Sequence, residues 1–114
     1  MSWAKELLDE MRVPSRELRD LIPGVYSGFA AIDHAAMADG ALSEKVKQLV
    51  ALAISVTREC DGCVAAHAKA AARAGATEPE VAEALGVAIQ MNGGPGTVWG
   101  PRAFAAFREF ADTT

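Results

Sequence analysis

The chemistry-bearing residues lie in one short stretch, Glu59-Cys60-Asp61-Gly62-Cys63-Val64-Ala65-Ala66-His67. On a helix, Cys60 and Cys63 stand at i and i+3, and Cys63 and His67 at i and i+4. All three side chains then fall on one stripe. Thiol redox chemistry needs that placement. One thiolate attacks, a second thiol resolves the product as a disulfide, and a base moves the proton. A helix that starts near Cys60 adds backbone N–H groups and a positive dipole end, which favour a thiolate. Glu59 and Asp61 bring negative charge and oppose that shift. Two plainer readings stand beside this one. The cysteines could be ordinary buried residues. Alternatively, Cys60, Cys63, His67 and His34 could hold zinc. Structural zinc wants four ligands, usually from two separated pairs, and the chain has a single cysteine pair.

Helices must position these groups. The chain has 114 residues, the length of one domain spanning 1–114. Its 24 alanines favour helix and bury little area each. The expectation is an all-α, compact domain of about six helices whose thin core is relieved by subunit association. Sustained period-2 alternation is absent, so no sheet is expected. Breakers set the segments. Ser2 precedes a first helix that Pro14 is expected to end, and Ser15 to Leu21 forms a short helical turn. Val25 to Ala38 is the next helix, with Ile32 and Ala36 on its core side. Ser43 then caps Glu44 to Arg58. A further helix runs from near Cys60 to Arg73, with Gly75 as the left-handed residue beyond it. Thr77 and Glu80 form a capping box for a helix to about Met91. Asn92-Gly93-Gly94-Pro95-Gly96 is a break, and the last helix covers part of Thr97 to Asp112.

The helix from Glu44 is apolar almost all round through Val46, Leu49, Val50, Leu52, Ala53, Ile54 and Val56. Such a helix is expected to be central or to lie in a subunit interface. Beyond its first turn, polar groups line up only on the stripe Gln48, Leu52, Ser55 and Glu59.

The remaining features read as structural. His34 is expected to face solvent, and Asp33 to cap or pair locally. The Gly93–Gly96 segment is a helix–helix turn whose glycines let backbone approach a partner subunit or the cysteine site. It is not a phosphate loop, because no strand precedes it and no Lys-Ser/Thr follows. Met1, Met11, Met37 and Met91 read as gap-fillers or ordinary positions. Trp3 and Trp99 read as core or interface anchors. Net charge is −4 with no basic run, which disfavours nucleic acid and anionic membrane. The longest apolar run, Leu49 to Ile54, is too short to span a bilayer. No secretory pattern opens the sequence, so a cytoplasmic location is expected.

Lys47-Gln48-Leu49-Val50-Ala51-Leu52-Ala53-Ile54 followed by the C-x-x-C-x-x-x-H stretch resembles the alkylhydroperoxidase D-like branch of the carboxymuconolactone decarboxylase superfamily. Gly75-Ala76-Thr77-Glu78-Pro79-Glu80-Val81 and Gly93-Gly94-Pro95 are similar to the segments that follow in that branch. The resemblance covers roughly Phe29 to Phe107. It implies an all-helical fold, a homo-oligomer (trimer or hexamer) and peroxide reduction without metal or organic cofactor. Cys63 would be the peroxide-attacking thiol, Cys60 the resolving thiol and His67 the proton-transfer partner. A lipoyl- or thioredoxin-type dithiol would be the reductant. Two positions depart from the pattern. Gln48 stands where the branch's peroxidases carry Glu, and Gly62 stands where they carry His between the cysteines. Glu59 is the auxiliary carboxylate that could replace the former. A thiol–disulfide oxidoreductase of other substrate is the alternative, followed by a non-catalytic or metal-binding module. Lactone decarboxylation ranks low, because the decarboxylases of the superfamily lack the cysteine pair.

Overall fold

The computed structural model describes residues 2–111. Within them the chain forms six helices and no strand. They are α1 (Trp3–Leu21), α2 (Pro23–Met37), α3 (Glu44–Thr57), α4 (Asp61–Arg73), α5 (Glu78–Asn92) and α6 (Gly94–Ala111). Met1 and Asp112, both assigned from sequence, lie outside the described residues.

Three segment boundaries follow the expected chemistry. Ser43 caps α3 by accepting the Val46 N–H. Thr77 and Glu80 form the capping box of α5. Gly75, at φ +87°, closes α4. Two boundaries differ. Pro14 does not end α1, and Ser15 to Leu21 is not a separate turn; the helix runs through as 19 residues. Proline removes one N–H donor to the carbonyl four residues back. That residue, Glu10, is exposed, so water can take the carbonyl. The glycine break is also shorter than expected. Gly93 alone, at φ +67°, turns the chain, and Gly94 already opens α6. The later glycines approach α5 rather than the cysteine site. A Cβ on Gly96 would stand 2.8 Å from the Ile89 Cα, and one on Gly100 3.2 Å from its Cδ1. The α5–α6 crossing is therefore a close backbone contact that only glycine allows.

The start of α1 is fixed from the far end of the chain. Ser2 makes no side-chain cap. Instead the Glu109 carboxylate accepts the N–H groups of Ala4 and Lys5 at 3.0 and 2.9 Å. Trp3 donates its indole N–H to the Arg102 carbonyl, and the Arg102 guanidinium lies 3.7 Å over the Trp3 ring and 5.4 Å from that of Trp99. Both tryptophans are half-buried anchors against the core.

The core helix is α4, not α3. Val64, Ala65, Ala68 and Ala71 of α4 are fully buried, and α1, α3 and α6 pack around them. Alanine lets those neighbours approach closely; Leu52, Val56, Val81 and Phe107 supply the bulk. On α3 the buried stripe is the polar-containing one, Gln48, Leu52, Ser55 and Val56, while Val46, Val50 and Ile54 are exposed. The expected core side of α2 is not in a core: this helix buries no residue, and Val25, Phe29 and Ile32 are 65–69% exposed. No described helix is long and apolar enough to cross a membrane.

Candidate active site

Cys60 reaches its place through the end of α3. Glu59 adopts φ +51°, the Cys60 N–H bonds the Ser55 carbonyl, and the Glu59 N–H bonds that of Val56. This is a Schellman closure, the same that Gly75 makes after α4, but with glutamate in the left-handed position. The chain then turns straight into α4. Cys60 becomes the N-cap, and its sulfur accepts the Cys63 N–H at 3.3 Å. Cys63 follows in the first turn, where the positive end of the helix dipole favours a thiolate. The two cysteines are joined as a disulfide with Cα atoms 5.2 Å apart. Cys60 is half-buried and Cys63 exposed.

His67 stands one turn beyond Cys63. Its Nδ1 lies 2.9 Å from Oε1 of Gln48, which projects from α3 and is only 5% exposed. An amide oxygen can only accept, so Nδ1 carries the proton and Nε2 is the ring's free base. Burial lowers the His67 pKa, and the Asp33 carboxylate opposes with a smaller upward pull. The lowered pKa keeps the imidazole neutral, the form that can take a proton.

Two clefts open on the disulfide. One, of about 430 Å³, is lined by Ser55, Arg58, Cys60, Cys63 and His67 among others. The second, of about 470 Å³, adds Met11, Phe29, Asp33, Gln48 and Gly62. Sequence reading thus places Cys60, Cys63, His67 and Gln48 together, as the structure does. Glu59 departs: α3 ends at Thr57, so the helical stripe does not extend to residue 59, whose side chain is exposed and lines neither cleft. Asp33, read as a local capping group, instead reaches the second cleft and the field of His67. Arg58 and Met11 went unread as site residues. A cation two residues before Cys60 was a visible signal for Arg58. Met11 has none, because only the tertiary packing of α1 against α4 brings it to Gly62. It lies over Gly62, its Sδ 3.5 Å from where a Cβ would stand. His34 is exposed on α2, and among the described residues no group of three or more His, Cys, Asp or Glu is clustered to hold a metal.

An all-helical domain with a cysteine pair at the start of its central helix defines the class of the molecule. The chain belongs to the carboxymuconolactone decarboxylase family, whose pattern matches residues 23–111; the alkylhydroperoxidase D-like branch lies within that superfamily. It is 41% identical over 85 residues to an uncharacterised protein of Cupriavidus necator, covering 75% of each chain. It is 37% identical over 85 residues to uncharacterised protein 4 in the cox locus of Paracoccus denitrificans, covering 75% of this chain and 77% of that one. Its fold is similar to the apo crystal structure of a carboxymuconolactone decarboxylase family protein from Legionella pneumophila. That match has a TM-score of 0.94 and 32% identity, over 97% of this chain and 99% of that chain.

Proposed function

We propose that this protein is a thiol-dependent peroxide reductase. One observation carries the reading: an exposed Cys63 in the first turn of α4, bonded to the N-cap Cys60 and one turn from a neutral, amide-held His67. In the reduced protein the Cys63 thiolate attacks the outer peroxide oxygen. The O–O bond breaks, and the alkoxide leaves with a proton delivered through His67. Cys63 is left as a sulfenic acid. The Cys60 thiol attacks that sulfur, water departs, and the disulfide closes. An external dithiol of lipoyl or thioredoxin type restores both thiols by exchange and is itself oxidised to a disulfide. No metal or organic cofactor enters the cycle. A reducing cytoplasmic compartment suits a pair that must be reopened each turn.

The exposed apolar face of α2 supports a homo-oligomer, a trimer or hexamer, in which Val25, Phe29 and Ile32 are covered by another copy. Gln48 favours a second reading, a thiol–disulfide oxidoreductase of other substrate, because an amide cannot relay a proton as a carboxylate does.

Peroxide consumption by the reduced protein, supplied in turn with dihydrolipoamide and with reduced thioredoxin, separates the two. Turnover that Cys63→Ser abolishes is expected. Disulfide exchange with a model disulfide substrate, without peroxide consumption, would transfer the assignment to the second reading.

A further inference from the structure

The disulfide cleft has a neighbour along α4. A cleft of about 510 Å³ is lined by Leu8, Glu44, Ala66, Lys69, Ala70 and Arg73 among others. Ala66 and Ala70 also line the cleft that holds Cys63 and His67. The two therefore adjoin across a floor of methyl groups, between the α1 wall at Leu8 and Met11 and the surface of α4. The helical rise places Lys69 about 9 Å and Arg73 about 15 Å beyond Cys63.

The far end of this trough is cationic. Lys69 also lines a third cleft, together with Lys5 and Arg12. Arg12 is paired with Asp9 at 3.0 Å. Among the described residues, no ion pair engages Lys69 or Arg73. Among the described residues, Glu44 is the only carboxylate lining the 510 Å³ cleft. In a chain of net charge −4, two unpaired cations at one mouth run against the whole.

We infer that the ligand reaching the disulfide along this trough is an amphipathic anion. Resting on the peroxide-reductase reading, the substrate class is a hydroperoxide that carries a carboxylate at its other end. The carboxylate sits at Lys69 and Arg73, where charge-assisted hydrogen bonds hold it. The apolar body lies over Ala66 and Ala70 against Leu8, and the peroxide reaches Cys63. A span of about 9–15 Å suits a chain of roughly eight to twelve carbons. The carboxylate takes no part in the chemistry. The O–O bond breaks at Cys63, which is oxidised to the sulfenic acid, and the substrate leaves as the corresponding hydroxy acid.

Decanoate, which has no peroxide, reads the trough without turnover. Calorimetric titration of the whole oxidised protein, below micellar concentration, compares it with decanamide. Decanoate is expected to bind about tenfold more tightly. Lys69→Glu should remove that advantage, Arg73→Gln should reduce it, and Lys69→Arg should keep it. Bound decanoate should also slow reduction of the Cys60–Cys63 disulfide by dithiothreitol, because its tail covers the disulfide cleft. Absent binding, equal affinity for acid and amide, full affinity in both Lys69→Glu and Arg73→Gln, or an unchanged reduction rate would each overturn the inference. Hydroperoxide consumption with no preference for the acid removes this inference alone. Decanoate binding with no consumption of any hydroperoxide keeps the anion site and removes the peroxide from it.

Discussion

Gln48 Oε1 and His67 Nδ1 lie 2.9 Å apart across the α3–α4 contact. The bond fixes which ring nitrogen holds the proton without adding charge. A carboxylate at position 48 would fix the same tautomer and also stabilise imidazolium. The amide therefore keeps His67 a weak, neutral base.

Gln48→Glu tests that difference. The new charge should raise the His67 pKa, so the pH profile of single-turnover peroxide reduction moves upward. Where proton transfer limits the rate, the gain should fall below the roughly 10²–10⁴-fold typical of acid–base catalysis, because a buried carboxylate is itself partly neutralised. Melting temperature is measured alongside. A folded variant with an unmoved profile would mean that position 48 does not influence the base.

Stability should depend on pH through the same imidazole. Burial lowers the folded-state pKa of His67 below its unfolded value of 6.5. Between those two values the unfolded chain binds more protons, so stability rises with pH. The contribution is fully present above pH 6.5 and is lost as pH falls through the folded pKa. Thermal melts from neutral to mildly acidic pH should show a falling midpoint, with a smaller fall in His67→Gln. Asp33→Asn should steepen the fall, since Asp33 pulls the pKa upward. Parallel curves for all three proteins would contradict this origin.

Cys60→Ser should stop the cycle after one step. Peroxide-treated variant protein should gain one oxygen on Cys63, trapped by a sulfenic-acid reagent, while the wild type loses two hydrogens per chain. Cys63→Ser should gain nothing at Cys60. Rapid oxidation of Cys60 in that variant would reverse the two roles.

Glu59→Gly should stabilise the fold. A left-handed conformation costs a residue with a Cβ about 1–2 kcal/mol, and glycine returns part of that through its freer unfolded chain. A net gain of about 0.5–1 kcal/mol, read as a higher melting temperature, is expected with peroxide turnover retained. A loss of turnover beyond tenfold would restore Glu59 to the chemistry.

Light scattering at micromolar concentration should return a multiple of the 11.9 kDa chain mass. Ile32→Glu, with Val25→Glu as a second probe, should lower it by placing charge on the α2 face. A monomeric wild type would leave that face to another partner.

Most of the site was legible because it is local. Cys60, Cys63 and His67 are set by spacing on one helix, and Gln48 by the period of another. Ser43, Gly75 and the Thr77–Glu80 box announced their helix ends by side-chain chemistry alone. What escaped was tertiary. Pro14 is tolerated because the carbonyl it strands meets solvent, and Met11 reaches Gly62 only through the packing of α1 on α4. Glu59 was projected along a helix that had already ended. Asp33 acts across space from α2, which local pattern reads only as an amphipathic segment. Gly96 looks like a loop signal until Ile89 is seen beneath it.

Glu109 has a consequence for the order of events in synthesis. The carboxylate that caps α1 lies 105 residues after Ala4, so the ribosome makes the first helix long before its cap exists. Closing so distant a contact is also the slow, entropically costly kind of step. A nascent chain can assemble α3 and α4, and so the cysteine pair, while the beginning of α1 still lacks its anchor. Only the arrival of α6 supplies the carboxylate that takes up the Ala4 and Lys5 N–H groups.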